Sequence, residues 1–177
     1  IPDPLRPDTD PHQGYAVFMA ATKQTNNETG MNNLHLTVAA IIEDRNRFLM
    51  VEEMVQGELV INQPAGHVEP GETLPEAASR ETREETAWQF SPEALIGLYL
   101  WQHPENGERF LRAVFTGKHF GHDQQQPLDT GIERALWLSR EELERRGPQL
   151  RSPMVLRAID DYLAGKRYPL DVVKHLG

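Results

Sequence analysis

Glu81, Glu84 and Glu85 are spaced i, i+3, i+4 in the stretch GHVEPGETLPEAASRETREETAW, residues 66–88. On an α-helix this spacing places all three carboxylates within a sector of roughly 100°. Three like charges so crowded cost stability unless something neutralises them. Hard divalent cations such as Mg²⁺ or Mn²⁺ take oxygen ligands of this kind and keep several waters. Arg80 adjoins Glu81 and precedes Glu84 by one turn, so it can hold a carboxylate in place or offset part of the charge. A Glu-rich helix is more often a solvated face. Against that stand Ala77 and Ala78, small residues suited to close packing, and a glycine-containing loop that enters the helix from a strand. On these residues alone both readings stay open.

The helix needs a frame. Thr73 with Glu76 three residues later forms a capping box, and Pro75 sits in the first turn, which predicts a helix over 74–87. Pro70-Gly71 marks a turn just upstream. Residues 34–43 (LHLTVAAIIE) and 47–53 (RFLMVEE) read as a strand pair across Glu43-Asp44-Arg45-Asn46, and 59–63 as a third extended piece. Further strands are expected at 95–102, 109–116 and 134–138. Ser139 is placed to cap a short helix ending near Gly147, and a last helix over 153–164 stops at Gly165. Mixed strands with three helices predict an α/β sandwich around a mixed β-sheet. Residues 1–30 carry Pro2, Pro4, Pro7 and Pro11 and a wholly polar TKQTNNETG, with no period of 2 or 3.6. They read as a poorly ordered extension, with Tyr15 to Ala21 its one apolar patch and Met31 a candidate natural start.

The 66–88 stretch resembles the Nudix box, G-x5-E-x7-R-E-U-x-E-E-x-G-U, where U is a bulky aliphatic residue. Gly66, Glu72, Arg80, Glu81, Glu84 and Glu85 fall on its six principal positions. Thr82 stands in place of the first U, Ala87 in place of the second glycine, and Trp88 in place of the last U. Ala87 weighs against a left-handed helix stop there, because that conformation costs a non-glycine residue about 1 kcal/mol. No departure removes a candidate ligand. NQPAGH, WQHP, LRSP and GKRYPL are similar to the NudJ-like phosphatases, and the likeness covers Leu34 to Leu170. It implies a Nudix-type α/β/α sandwich over residues 31–177 and hydrolysis of phosphoanhydride bonds. It further implies Mg²⁺ as cofactor, with Mn²⁺ able to substitute.

By the same resemblance Glu84 and Glu85 are the principal metal ligands, completed by the Gly66 carbonyl. Glu81 binds a second metal or orients the attacking water, held by Arg80, and Glu72 ties the loop to the helix. The box leaves the general base open; Asp129 and Glu133 are the candidates. NudJ-like enzymes imply nucleoside di- and triphosphates and thiamine-pathway diphosphates (thiamine diphosphate, hydroxymethylpyrimidine diphosphate) as substrates, with release of orthophosphate. The alternatives are a Nudix pyrophosphatase acting on a nucleotide sugar or dinucleotide, and a non-catalytic nucleotide-sensing Nudix-like domain. A plain metal-binding or scaffold protein is a fourth reading.

Candidates for substrate contact are Arg109, Arg112 and Lys118 for phosphates and Trp101 and Phe110 for stacking on a ring. The competing readings are surface charge and core packing. His119 and His122, in what reads as a polar loop, are two potential ligands whose ordinary role is solvent-facing, and His67 and His103 read as hydrogen-bonding or surface residues. Lys166-Arg167-Tyr168 either reaches the site or forms a cationic helix end.

Eighteen Lys and Arg against 27 Asp and Glu give a formal net charge of −9 over 177 residues. This excludes a nucleic acid polymer or an anionic membrane as main partner and favours a small anionic substrate that arrives with a divalent cation. There is no cysteine, so disulfides and thiolate chemistry are out and a reducing cytoplasm is the expected setting. No apolar run approaches the roughly 18–20 residues of a membrane span. A monomer and a homodimer are both open.

Overall fold

The computed structural model describes residues 34–176; the expectations for residues 1–30 and Met31 lie outside that range. In chain order the strands are β1 Leu34–Ile41, β2 Glu43–Asp44, β3 Arg47–Val55, β4 Glu58–Asn62, β5 Ala65–His67, β6 Gln89–Gln102, β7 Arg109–Phe120 and β8 Ile132–Leu138. The helices are α1 Leu74–Thr86, α2 Arg140–Arg145 and α3 Met154–Leu163, with single 3₁₀ turns at Gly147–Gln149 and Leu170–Val172.

Two four-stranded sheets result. The first runs β5-β1-β7-β6, with β1 parallel to β7 over eight residue pairs and the other pairings antiparallel. The second is built on β3, which pairs antiparallel with β2, β4 and β8. The second half of the central strand β1, residues 38–41, is a continuous apolar run because both its faces are covered there, as in parallel strands. Val38 and Ala40 pack with Ala77 and Ala78 of α1, Phe90 and Phe115 on one side. Ala39 and Ile41 pack with Met50, Val114, Leu143 of α2 and Val155, Ala158 and Ile159 of α3 on the other. The α/β sandwich expected from the pattern is the architecture found.

Four points differ from the sequence reading. The strand pair expected for 34–43 and 47–53 is confined to β2 with β3, while β1 passes into the other sheet, where β5 and β7 flank it. β6 begins at Gln89 rather than 95, because register shifts at Pro92/Ala94 and Leu95/Gly97 carry the ladder past a proline that cannot donate to it. β7 continues to Phe120 as its partner. β5 forms just beyond the extended piece expected over 59–63, because its three residues find β1's free edge.

Candidate active site

Helix α1 starts with the predicted capping box. Thr73 accepts the Glu76 N–H, and the Glu76 carboxylate accepts the Thr73 N–H at 2.8 Å. It stops in a left-handed conformation at Ala87 (φ 59°, ψ 11°), so the expectation from alanine's conformational cost is overturned. The surroundings supply the compensation. Ala87 N–H donates to the Arg83 carbonyl, and the loop after β7 brings Asp123 N–H to the Ala87 carbonyl at 3.0 Å. The same loop sets the Gln126 side-chain amide on the Arg83 carbonyl and Asp129 N–H on the Glu84 carbonyl. Carbonyls that a helix end leaves unpaired are thereby satisfied.

Arg80 organises the acidic face. Its Nη1 donates to Glu81 Oε1 at 2.8 Å and Glu84 Oε2 at 3.0 Å. Its Nε and Nη2 donate to Glu72 at 3.0 and 2.7 Å, and Nη2 also donates to the His67 carbonyl. Glu72 in turn accepts the Glu69 N–H at 2.7 Å, so this carboxylate ties the loop to the helix. The bonds from Arg80 hold the Glu72 carboxyl below the usual carboxylate range.

Glu81 and Glu85 are buried and Glu84 is half-buried. Glu85 accepts the Ala65 N–H at 2.8 Å. Burial nevertheless pushes its carboxyl up to about 9, reinforced by the nearby charges of Glu81, Glu53 and Asp129. Burial also raises Glu81, against the pull of Arg80. Gly66 lies against this cluster: a Cβ there would stand 2.1 Å from Glu81 Oε1, so no larger residue fits without displacing the carboxylate. Among the described residues no three Asp, Glu or His side chains already form a metal-ligating cluster, because Arg80 stands between Glu81 and Glu84. The donor set itself suits a hard cation, being all oxygen, mutually repelling and held out of water.

Beside the cluster, and sharing Ala65 and Gly66 with it, lies a cavity of about 220 Å³ between the two sheets. Its wall includes Arg112 of β7, fully buried, which donates to Asn62 Oδ1 at 3.2 Å. Burial lowers Arg112 to about 10, although the charges of Glu53 and Glu85 oppose the shift. Trp101 and Phe110 form an aromatic wall, their centroids 5.8 Å apart. The acidic cluster and a cavity with a buried cation and a stacking surface therefore meet at Ala65 and Gly66.

A NUDIX domain model matches residues 33–158. The chain belongs to the Nudix family. It is 40% identical to the protein named Phosphatase NudJ from Escherichia coli over 139 residues, covering 78% of this chain and 90% of that one; the Shigella boydii protein of the same name matches equally well. Among solved structures, a NUDIX hydrolase from Nitrosomonas europaea superposes with a TM-score of 0.79 at 46% identity, covering 81% of this chain and 98% of that chain. A UDP-X diphosphatase shares the fold, with a TM-score of 0.62 at 20% identity over 80% of this chain and 68% of that one. The protein is thus a Nudix phosphohydrolase with NudJ-like sequence.

All six Nudix-box residues come together around Arg80 and Gly66. Thr82, where the box has an aliphatic residue, is buried with its hydroxyl donating to the Ala78 carbonyl at 2.7 Å. Of the candidate bases, Asp129 stands within electrostatic reach of both Glu81 and Glu85, whereas Glu133 is exposed on β8. Arg112, Trp101 and Phe110 line the cavity; Arg109 does not, and Lys118 is spent on a surface ion pair with Glu93 at 2.8 Å. His67 and His103 also line the cavity. His67 shares a 3.2 Å hydrogen bond with His35, and His103 Nδ1 accepts the Glu105 N–H. His119 lies on β7, and both it and His122 pack on the Trp88 ring, which makes them parts of an aromatic cluster. Lys166 and Arg167 serve the end of α3, on Asp161 and the Tyr162 carbonyl. Sequence reasoning missed Glu53, Asn62, Arg151 and Ser152 as cavity residues. The signals for them were the NQPAGH stretch, which begins with Asn62, and the LRSP stretch, which contains Arg151 and Ser152; Glu53 had none.

Proposed function

We propose that this protein hydrolyses phosphoanhydride bonds in nucleoside di- and triphosphates and in thiamine-pathway diphosphates, releasing orthophosphate. The observation that carries the reading is the meeting of buried Glu81 and Glu85 with Gly66 beside a cavity that holds Arg112, Trp101 and Phe110. Glu84, Glu85 and the Gly66 carbonyl would hold Mg²⁺, or Mn²⁺ in its place, and Glu81 a second ion or the attacking water. When bound, such a cation neutralises phosphate charge and lowers the pKa of a coordinated water. Arg80 keeps Glu81 and Glu84 aimed inward, and Glu72 braces Arg80. Asp129 takes the proton from the water as the oxygen adds to the terminal phosphorus. The bridging P–O bond breaks and orthophosphate departs. Arg112 contributes fixed positive charge to the polyphosphate in a site shielded from water, where it acts strongly. The absence of cysteine fits action in the cytoplasm on small molecules.

The test is a panel of nucleoside di- and triphosphates, thiamine diphosphate, nucleotide sugars and dinucleotides, assayed for orthophosphate and pyrophosphate with and without Mg²⁺. Orthophosphate from the first three classes, only with Mg²⁺, is the expected result. A nucleoside monophosphate plus a second phosphorylated product from the sugars or dinucleotides would replace this reading.

A further inference from the structure

Five buried side-chain polar atoms among the described residues make no hydrogen bond. Four of them, Thr37 Oγ1, Glu53 Oε1, Arg112 Nε and Ser152 Oγ, belong to residues that line the cavity beside the acidic cluster. Leaving a buried polar group unpaired forfeits its solvation with nothing in return, so such a concentration marks a place built for a polar ligand. Glu53 is the sole carboxylate in that wall. It lies on β3 next to a register irregularity between Glu52 and Glu53 in the pairing with β8. Its nearest cation is Arg151, whose Nε stands 3.8 Å away, within ion-pair range but beyond hydrogen-bond range. An ionised carboxylate only accepts hydrogen bonds and a guanidinium only donates them. Glu53 therefore calls for an N–H or O–H on the ligand, and Arg112 for an acceptor.

The cavity volume bears on the ligand's size. A void of about 150 Å³ holds one benzene, so about 220 Å³ beside Trp101 and Phe110 suits one substituted six-membered ring. A phosphate would fit Arg112 and Arg151 but would be repelled by Glu53, so the carboxylate faces the uncharged ring and not the phosphate chain.

Resting on the function proposed above, we infer that Glu53 is a specificity-determining residue: its carboxylate selects substrates whose single-ring nitrogen heterocycle presents an N–H donor, while Trp101 and Phe110 stack on the ring. A site that hydrogen-bonds a ligand N–H rejects an analogue lacking it far more strongly than an apolar pocket rejects a missing methylene.

The experiment uses the α,β-methylene diphosphates of cytidine and of its 4-deamino analogue, in which hydrogen replaces the ring amine, so that binding is read by calorimetry without turnover. Wild type is expected to bind the amine-bearing probe about 10-fold or more tightly than the other, a ratio corresponding to about 1.4 kcal/mol. Glu53→Met, similar in length and without hydrogen-bonding oxygens, is expected to bring the two affinities within threefold, and Glu53→Gln, which keeps one acceptor, to retain part of the preference. A purely structural role for Glu53 would weaken both probes alike and leave the ratio intact, which overturns the inference. Equal binding of the two probes by wild type overturns it as well. Neither result touches the proposed hydrolysis, which stands or falls on phosphate release from the hydrolysable substrates.

Discussion

Helices α1 and α2 look like one another in sequence and do opposite things with their glutamates. Each opens on a capping box, Thr73 with Glu76 and Ser139 with Glu142, and each continues as an alternation of Glu and Arg. In α2 the acids face cations and solvent. Glu142 pairs with Arg47 at 2.9 Å, its carboxyl held below the usual range chiefly by the Ser139 N–H, and Glu144 is exposed beside Arg140. In α1 two of the three acids are buried, Glu81 against Gly66 and Glu85 on the Ala65 N–H, and burial raises both. Composition cannot separate these helices; what they pack against does. An α2-like face fits the surface reading, and the cost of the α1 arrangement is what a bound cation would relieve.

The largest expected break in that comparison is catalytic. Glu85→Gln should lower Mg²⁺-dependent phosphate release by about 100-fold or more, because the ligand to the cation supplies several kcal/mol. Glu144→Gln, on the α2 face, should stay within twofold in the same assay. Activity of Glu85→Gln near wild type at saturating Mg²⁺ would remove the proposed role.

Next in size is the contrast between two glycines. Gly66→Ala places a methyl group where Glu81 now lies and should cut kcat/KM by about 10-fold or more, as small displacements of a reacting constellation do. Gly147→Ala, after α2, meets open space and should be neutral in both activity and melting temperature.

Stability against pH sharpens the comparison without chemistry. The Glu85 carboxyl titrates near 9 in the folded chain and in the ordinary carboxylate range when unfolded. Between those values the folded state holds the extra proton, so metal-free stability should fall as pH rises from about 5 to about 9. Glu85→Gln should flatten that slope, and Mg²⁺ should raise the melting temperature most at the alkaline end. Glu142 has the opposite sign: its folded pKa is depressed, so its contribution is present above the unfolded value and is lost as pH falls through the folded one. Melting curves of Glu85→Gln and Glu142→Gln against wild type, from about pH 2 to about pH 9, check both signs.

The smallest effect is the one the helices share. Thr73→Ala and Ser139→Ala should each cost about 1 kcal/mol, a drop of about 2–4 °C in melting temperature, read by calorimetry.

The caps, the β2–β3 turn and the clustering of acids on one face of α1 were legible because each rests on local rules of spacing; the pairing of 34–43 with 47–53 was legible only at β2, because β1 takes its neighbours β5 and β7 from distant parts of the chain. The left-handed stop at Ala87 was not, since it depends on a loop more than 30 residues later that supplies donors to the helix end. The cavity was half legible. Arg112, Trp101 and Phe110 stood out as candidates, but Glu53 ends a stretch, 47–53, that reads only as a strand, and only the packing of two sheets brings it towards Glu85. His119 was misjudged as a loop residue because β7 continues beyond its apolar run, carried by its pairing with β6, whereas His122 lies in the loop as expected.

The parallel ladder between β1 and β7 has a consequence for biogenesis. Leu34–Ile41 emerges from the ribosome early, yet one of its two neighbours is complete only when Phe120 has been made. Until then the strand's long edge has no ladder and α1 has no finished floor to sit on. Pairings so distant along the chain form slowly. The nascent protein therefore spends much of its synthesis with its most apolar strand open to other chains, and a truncation before β7 would be a substrate for chaperones and proteases rather than a smaller enzyme.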